Sequence, residues 1–168
     1  MGAVAESAAM RVNESTLDWE TVDHGETGFR RKRLAAAAGG DRLGCSLYEL
    51  PPDSGAWPFH YHTGNEEAIY VLAGTGRLRT ADGVDPLAAG DYVTFPVGEA
   101  GAHRVVNDGD EPLRYLAVST MNDPDVTVYP DSDKVGIFAG SAPGSEEPRT
   151  VSGYYRRDDD VDYWLDEE

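Results

Sequence analysis

From residue 43 onward the chain is patterned for strands. Runs of four to eight residues either alternate apolar with polar positions or stay continuously apolar, and Gly, Pro, Asn and Asp punctuate them. The pattern predicts strands over 43–50, 57–62, 67–73, 76–80, 84–87, 91–95, 103–107 and 112–119. No stretch between them repeats apolar positions at helical spacing over a helix-sized length. Strands this short and this evenly spaced favour an antiparallel sandwich or barrel over a parallel α/β sheet. No repeat of 20–50 residues is visible.

The flanks are weaker. Residues 1–15 are small and polar and read as a flexible arm. Residues 16–22 and 29–38 are secondary candidates for structure. Turn residues crowd 122–125 and 129–132, and 140–149 reads as a loop or linker. The Asp-rich segment 158–166 is expected to form one short helix, with acids favoured in its first turn. Tyr154, Tyr155, Tyr163 and Trp164 suggest that the tail docks on its own barrel or on a sister subunit. The expected organisation is therefore an arm over 1–15, a barrel with flanking strands over 16–139, and an acidic, aromatic tail over 140–168.

At 168 residues one domain is expected, large enough to bury a core without a staple. The formal net charge of −17 changes the picture most. Such a surface repels phosphate backbones and anionic lipid, which argues against nucleic-acid and membrane-surface roles. It fits an ordinary acidic protein or one adapted to a salt-rich cytoplasm, where repulsion is screened. The only basic cluster, Phe29-Arg-Arg-Lys-Arg33, reads as a solvated strand or an internal charge neutraliser. Cys45 is the single cysteine and reads as a small core residue in a reducing compartment. No signal peptide or spanning segment is visible, so the cytoplasm is the expected location.

Candidate chemistry lies with the histidines. His24 stands alone in an acidic loop and reads as a surface residue. His60 and His62 sit two apart on a predicted strand, so both project from one face, and Trp57, Phe59 and Tyr61 project from the other. Thr63-Gly-Asn-Glu66 is a turn that brings the next strand back beside the pair. Of the neighbours Glu66 and Glu67 only one can face inward with the imidazoles. His103 is the remaining histidine in a strand context. Three imidazoles and one carboxylate suit a first-row divalent ion.

These two segments resemble the motifs of the cupin family. In the first, His60-Tyr-His62 is followed by four residues, Glu67, six residues and Gly74. In the second, Gly90, Pro96, Gly98, His103 and Asn107 fall in order, with four residues where the family has two between Gly98 and His103. Gly55 precedes His60 by four residues and not five. The resemblance covers 43–119. It implies an all-β double-stranded β-helix or jelly-roll barrel, with Glu67 chosen over Glu66. It also implies one divalent transition metal, Mn, Fe, Ni or Zn, on His60, His62, Glu67 and His103.

The family further implies a small-molecule substrate, with sugar or sugar-phosphate isomerases, dioxygenases and decarboxylases among its activities. A non-catalytic ligand-binding or sensing module is the alternative. A homodimer is expected, because cupins often pack outer strands together. Asn107 is expected to cap a turn. No extra acid, base or anion clamp can be placed. Tyr48, Arg77, Arg79 and Arg104 are candidates by strand proximity, with Arg77 and Arg79 expected at the surface.

Overall fold

The computed structural model describes residues 10–167. Most of the arm expected over 1–15 and the final residue of the tail lie outside the described residues. The strands are β1 (Glu20–His24), β2 (Thr27–Arg33), β3 (Leu43–Leu50), β4 (Ser54–Gly55), β5 (Tyr61–His62), β6 (Glu67–Ala73) and β7 (Thr75–Thr80). They continue as β8 (Val84–Ala88), β9 (Tyr92–Phe95), β10 (His103–Asn107), β11 (Leu113–Thr120), β12 (Asp125–Tyr129), β13 (Lys134–Ala139) and β14 (Val151–Arg156). One helical turn, Leu34–Ala37, joins β2 to β3. The fold is all-β.

Ten strands form one curled sheet in the order β8-β7-β10-β4-β2-β3-β11-β6-β9, with β1 paired on β2. A second sheet of four strands runs β14-β13-β12-β5. All neighbours are antiparallel except the single β2–β4 contact. Together the sheets enclose a half-barrel interior.

Alternation explains which side chains fill it. On β6 Ile69 and Val71 are buried while Tyr70 and Leu72 are exposed, as a period of two demands. With Phe29, Leu50, Leu78, Leu87, Phe95, Val105 and Leu113 they form one core cluster. Each such side chain contributes about 1.5–3 kcal/mol by leaving water. Asn107 is fully buried behind them. Its amide donates to the carbonyls of Leu50 and Glu111, and its oxygen accepts from the Gly109 N–H. It therefore holds the β10–β11 turn, as its sequence position suggests. Gly74 is required between β6 and β7. Its φ is +84°, and an added Cβ would sit 2.5 Å from the Pro112 carbonyl oxygen.

The basic cluster divides by the same rule. Arg30 and Lys32 lie over the Trp19 ring, 4.5 and 4.6 Å from its centroid. Phe29, Arg31 and Arg33 share the other face of β2, which looks inward. Cys45 is half-buried on β3 and not enclosed as a core residue, though burial still raises its thiol pKa.

Three expectations are corrected. Residues 158–166 form turns and irregular chain and no helix. Asp is a poor helix former, and a segment this short cannot offset the cost of nucleation. Val151–Arg156, expected only as tail, is instead a strand paired along its length with β13. Tyr154 packs there against Tyr129 and Phe138, whereas Tyr163 and Trp164 are exposed and stack only on each other among the described residues. The run 57–62 is not a continuous strand. The chain bends at Pro58, leaving β4, the short β5 and an isolated His60–His103 bridge. Among the described residues no helix is long and apolar enough to cross a membrane.

Candidate metal centre

The bend after Trp57 brings His60 onto β10. His60 N–H donates to the His103 carbonyl at 3.2 Å, and His103 N–H returns a bond at 2.9 Å. Backbone pairing this close sets the two rings side by side, with centroids 4.9 Å apart. His62 follows on the same face, its ring 5.2 Å from that of His60. The turn after it is tied by the Gly64 N–H to Asp125 Oδ1 and by Asn65 to Thr120 and Asn122. The chain then enters β6 at Glu67, which pairs with Phe95 on β9 and Ser119 on β11. Glu66 is exposed and Glu67 half-buried, because neighbours on a strand face opposite sides.

Four side chains meet at this point. Glu67 Oε2 lies 3.4 Å from His103 Nε2, 3.6 Å from His62 Nε2 and 3.9 Å from His60 Nε2. This oxygen is buried and has no hydrogen-bond partner among the described residues. A desolvated carboxylate oxygen left unpaired among ring nitrogens is costly, and a cation at that point removes the cost. Ligand atoms of His60, His62 and Glu67 all fall within 4.8 Å of one another. These three residues could hold a metal ion.

The other ring nitrogens fix the tautomers. His60 Nδ1 lies 2.7 Å from the Pro58 carbonyl, and His103 Nδ1 lies 2.9 Å from the Gly101 carbonyl. His62 Nδ1 lies 2.5 Å from Asp125 Oδ2 and 3.1 Å from Thr127 Oγ1. These acceptors favour a proton on each Nδ1, which leaves the Nε2 atoms, 3.4–3.9 Å from Glu67 Oε2, as the nitrogens available to an ion. The two residues inserted before His103 are absorbed by a short 3₁₀ turn, Glu99–Gly101. Gly101 is obligatory in it, since a Cβ there would lie 1.8 Å from the Pro96 carbonyl oxygen.

The surroundings tune the charges. Burial holds the His60 pKa well below its ordinary value, helped by the neighbouring His103 and His62. Burial also lowers that of His103, against the opposing pull of Glu67. At His62 burial is outweighed by the hydrogen bond to Asp125 and the charges of Glu67 and Asp125, and the pKa rises. Asp125 is lowered, because its bonds to His62 and Gly64 outweigh its burial. Buried, unprotonated imidazoles are the form that binds metal.

Asp125 lies in a stretch read from sequence as turn, and Thr127 lies between two such stretches. The signal was the alternation Asp125-Val-Thr-Val-Tyr129, which places Asp125, Thr127 and Tyr129 on one face of β12. Tyr129 stacks at 5.9 Å on His60, and burial raises its pKa. Phe95 stacks on His103 at 3.6 Å. These residues open onto a cavity of about 710 Å³, which Tyr48, Trp57 and Tyr115 also line. Trp57 is thus part of the cavity wall and does not look outward as its strand position suggested.

Of the remaining candidates, Arg77 and Arg79 point elsewhere, whereas Arg104 lines the cavity. Arg77 pairs with Asp108. Arg79 makes two bonds to Asp131, at 2.6 and 2.7 Å, and lies over Phe59. Arg104 packs against Gly55 and pairs with Glu26 at 3.4 Å. His24 is exposed.

Comparison with known proteins agrees with this architecture. Residues 46–119 match the family described as "Cupin domain". The crystal structure of a candidate sugar phosphate isomerase from Acidithiobacillus ferrooxidans is 27% identical, with a TM-score of 0.79 over 93% of this chain and 97% of that one. A predicted oxalate decarboxylase from Thermotoga maritima is 27% identical, with a TM-score of 0.58 over 66% of this chain and 98% of its own. The polyketide cyclase RemF of Streptomyces resistomycificus is 26% identical, with a TM-score of 0.56 over 66% and 78%. No curated protein matches the chain. With both motifs in order, the strands they require and a matching family model, residues 46–119 form a cupin domain.

Proposed function

We propose that the chain is a metal-dependent enzyme that isomerises a small polyoxygenated, sugar-like molecule. The observation that carries this reading is the buried, unpartnered Glu67 Oε2, faced by three imidazole nitrogens at 3.4–3.9 Å inside a cavity large enough for such a substrate. His60, His62, Glu67 and His103 are the assigned ligands. Their donor set suits one divalent first-row ion, Mn, Fe, Ni or Zn. When bound, the ion supplies Lewis-acid polarisation of a substrate oxygen.

The chain's own residues do the rest. The Pro58 and Gly101 carbonyls and the Asp125 carboxylate lock the three rings, so little reorganisation is needed on loading. Burial holds the Tyr115 phenol pKa well above its ordinary value. It therefore stays protonated and can donate a hydrogen bond to a substrate oxygen. Phe95 walls the centre from bulk water. Isomerisation is favoured over decarboxylation or cyclisation because similarity to the candidate isomerase spans nearly the whole chain, against two thirds for the other two.

The test is anaerobic reconstitution with each ion, followed by a panel of aldoses, sugar phosphates and dicarboxylates read by NMR and an oxygen electrode. Aldose–ketose interconversion that needs the ion and vanishes in His60→Ala is expected. Oxygen consumption would replace this reading with a dioxygenase. Tight binding without turnover across the panel would replace it with a binding module.

A further inference from the structure

One corner of the cavity is not used by the metal centre. Across three neighbouring strands Arg31 stands opposite Tyr48, and Tyr48 opposite Tyr115. The Tyr48 and Tyr115 rings stack at 5.2 Å. The Tyr48 hydroxyl oxygen accepts from Trp57 Nε1 at 3.0 Å and lies 3.5 Å from Arg31 Nη1. The Arg31 guanidinium lies 5.5 Å from the Trp57 ring centroid.

Arg31 lines this corner of the cavity. Its side chain is only 15% exposed. Its one carboxylate partner among the described residues is Glu20, at 3.1 Å from Nε, and Glu20 is shared with Arg33. Arg33 has a second carboxylate partner in Glu146, and Arg31 has no second one among the described residues. Nη2 of Arg31 has no partner among the described residues. The Tyr48 oxygen accepts in both of its contacts, so its own O–H proton is free to donate. In a chain with 31 acidic residues, this guanidinium meets a single carboxylate among the described residues and lines the cavity. A planar guanidinium with a free edge, beside a phenol donor and against an indole face, matches the geometry of a phosphate or carboxylate group.

We propose that Arg31, Tyr48 and Trp57 bind the oxyanion tail of the substrate whose other end reaches the metal centre. Trp57 and His60 are three residues apart, so their Cα atoms are at most about 11 Å apart, and both side chains line the one cavity. The substrate is then a short molecule with oxygens at one end and a phosphate or carboxylate at the other. Arg31 sets specificity, since neutral analogues leave it unpaired. The reaction this serves rests on the metal-dependent reading above, whereas the anion binding does not.

The test is calorimetric titration of the metal-loaded full chain with inorganic phosphate, malonate and, as a neutral control, glycerol. Metal content is measured on every variant. Saturable binding of at least one anion and none of glycerol is expected. Arg31→Gln should weaken anion binding at least tenfold, and Tyr48→Phe several-fold, with metal content unchanged. Preference for phosphate assigns a phosphorylated substrate, and preference for malonate assigns an organic acid. Failure of both anions to bind the wild type overturns the proposal. Undiminished binding in Arg31→Gln also overturns it, because the anion then sits on the metal. If Arg31→Gln does not fold by circular dichroism, Tyr48→Phe decides, and wild-type affinity there is the overturning result. A chain that takes up no metal but loses anion binding in these variants refutes the metal reading and upholds this one.

Discussion

The ten-stranded sheet faces the cavity with Ile69, Phe95, Val105 and Tyr115, an apolar surface interrupted by Glu67 and His103. The four-stranded sheet faces it with His62, Thr127 and Tyr129, and Asp125 and Thr127 hold His62 by hydrogen bonds. The first sheet places donors by burying their strands. The second aims a donor by holding its far nitrogen. A buried carboxylate such as Asp125 is tolerable only because His62 and the Gly64 N–H satisfy it. The two halves should therefore fail differently when broken: one by losing the donor or the fold, the other by losing only alignment.

The largest effect should come from the ten-stranded side. His103→Ala removes a donor and leaves Glu67 Oε2 with one fewer nitrogen. Elemental analysis of the reconstituted variant should show loss of stoichiometric metal, and His60→Ala should do the same. Full metal content in both variants would refute the ligand assignment. Next comes the core that carries these strands. Leu50 is fully buried, so Leu50→Ala should cost about 2–5 kcal/mol through lost burial and a cavity, measured by urea unfolding. Tyr154 lies on the outer strand of the small sheet and is 62% exposed. Tyr154→Ala should cost under about 1 kcal/mol. Equal costs for the two would mean that both sheets belong to one tightly packed core.

Asp125→Asn probes the second sheet directly. The amide keeps the shape but can present its NH₂ to Nδ1, which favours the tautomer with the proton on Nε2. Metal affinity should fall about 10- to 100-fold while stoichiometry at saturating metal survives. Competition with a chelator of known affinity measures it. A loss as complete as that of His103→Ala would place Asp125 among the donors.

The same contrast shows how much could be read from the residues. Regular alternation made β3, β6 to β11 and the inward choice of Ile69 and Val71 legible, because one period sorts every side chain. The His60, His62, Glu67 and His103 spacings were legible because each sits at a motif position. The bend at Pro58 was not, and it moved Trp57 from the outside to the cavity wall. Asp125 and Thr127 were hidden because β12 is short and flanked by Asn, Asp and Pro, which read as turn. Arg31 was hidden because four consecutive basic residues look like one surface patch. Only the strand's period separates Arg31 and Arg33 from Arg30 and Lys32, and only the register with Tyr48 shows which pair faces in.

The smallest effect should come from the outward arginines, which are the counterpart of Arg31. Arg79 and Asp131 make two short bonds, yet their side chains are 40% and 50% exposed, so water and salt screen them. The bond from Arg79 lowers the Asp131 pKa. A carboxylate lowered by folding stabilises above its unfolded pKa, about 3.9, and loses that contribution as pH falls through its lower folded value. Arg79→Ala should therefore cost under about 1 kcal/mol at neutral pH and nothing below about pH 2. The difference should also shrink in about 1 M salt, where the Debye length is about 3 Å. Thermal melts of both proteins at the two pH values and salt levels measure this. A cost that persisted in acid and in salt would show that Arg79 acts through its packing on Phe59 and not through its charge. The contrast with Arg31, set by exposure, would then not be one of electrostatics.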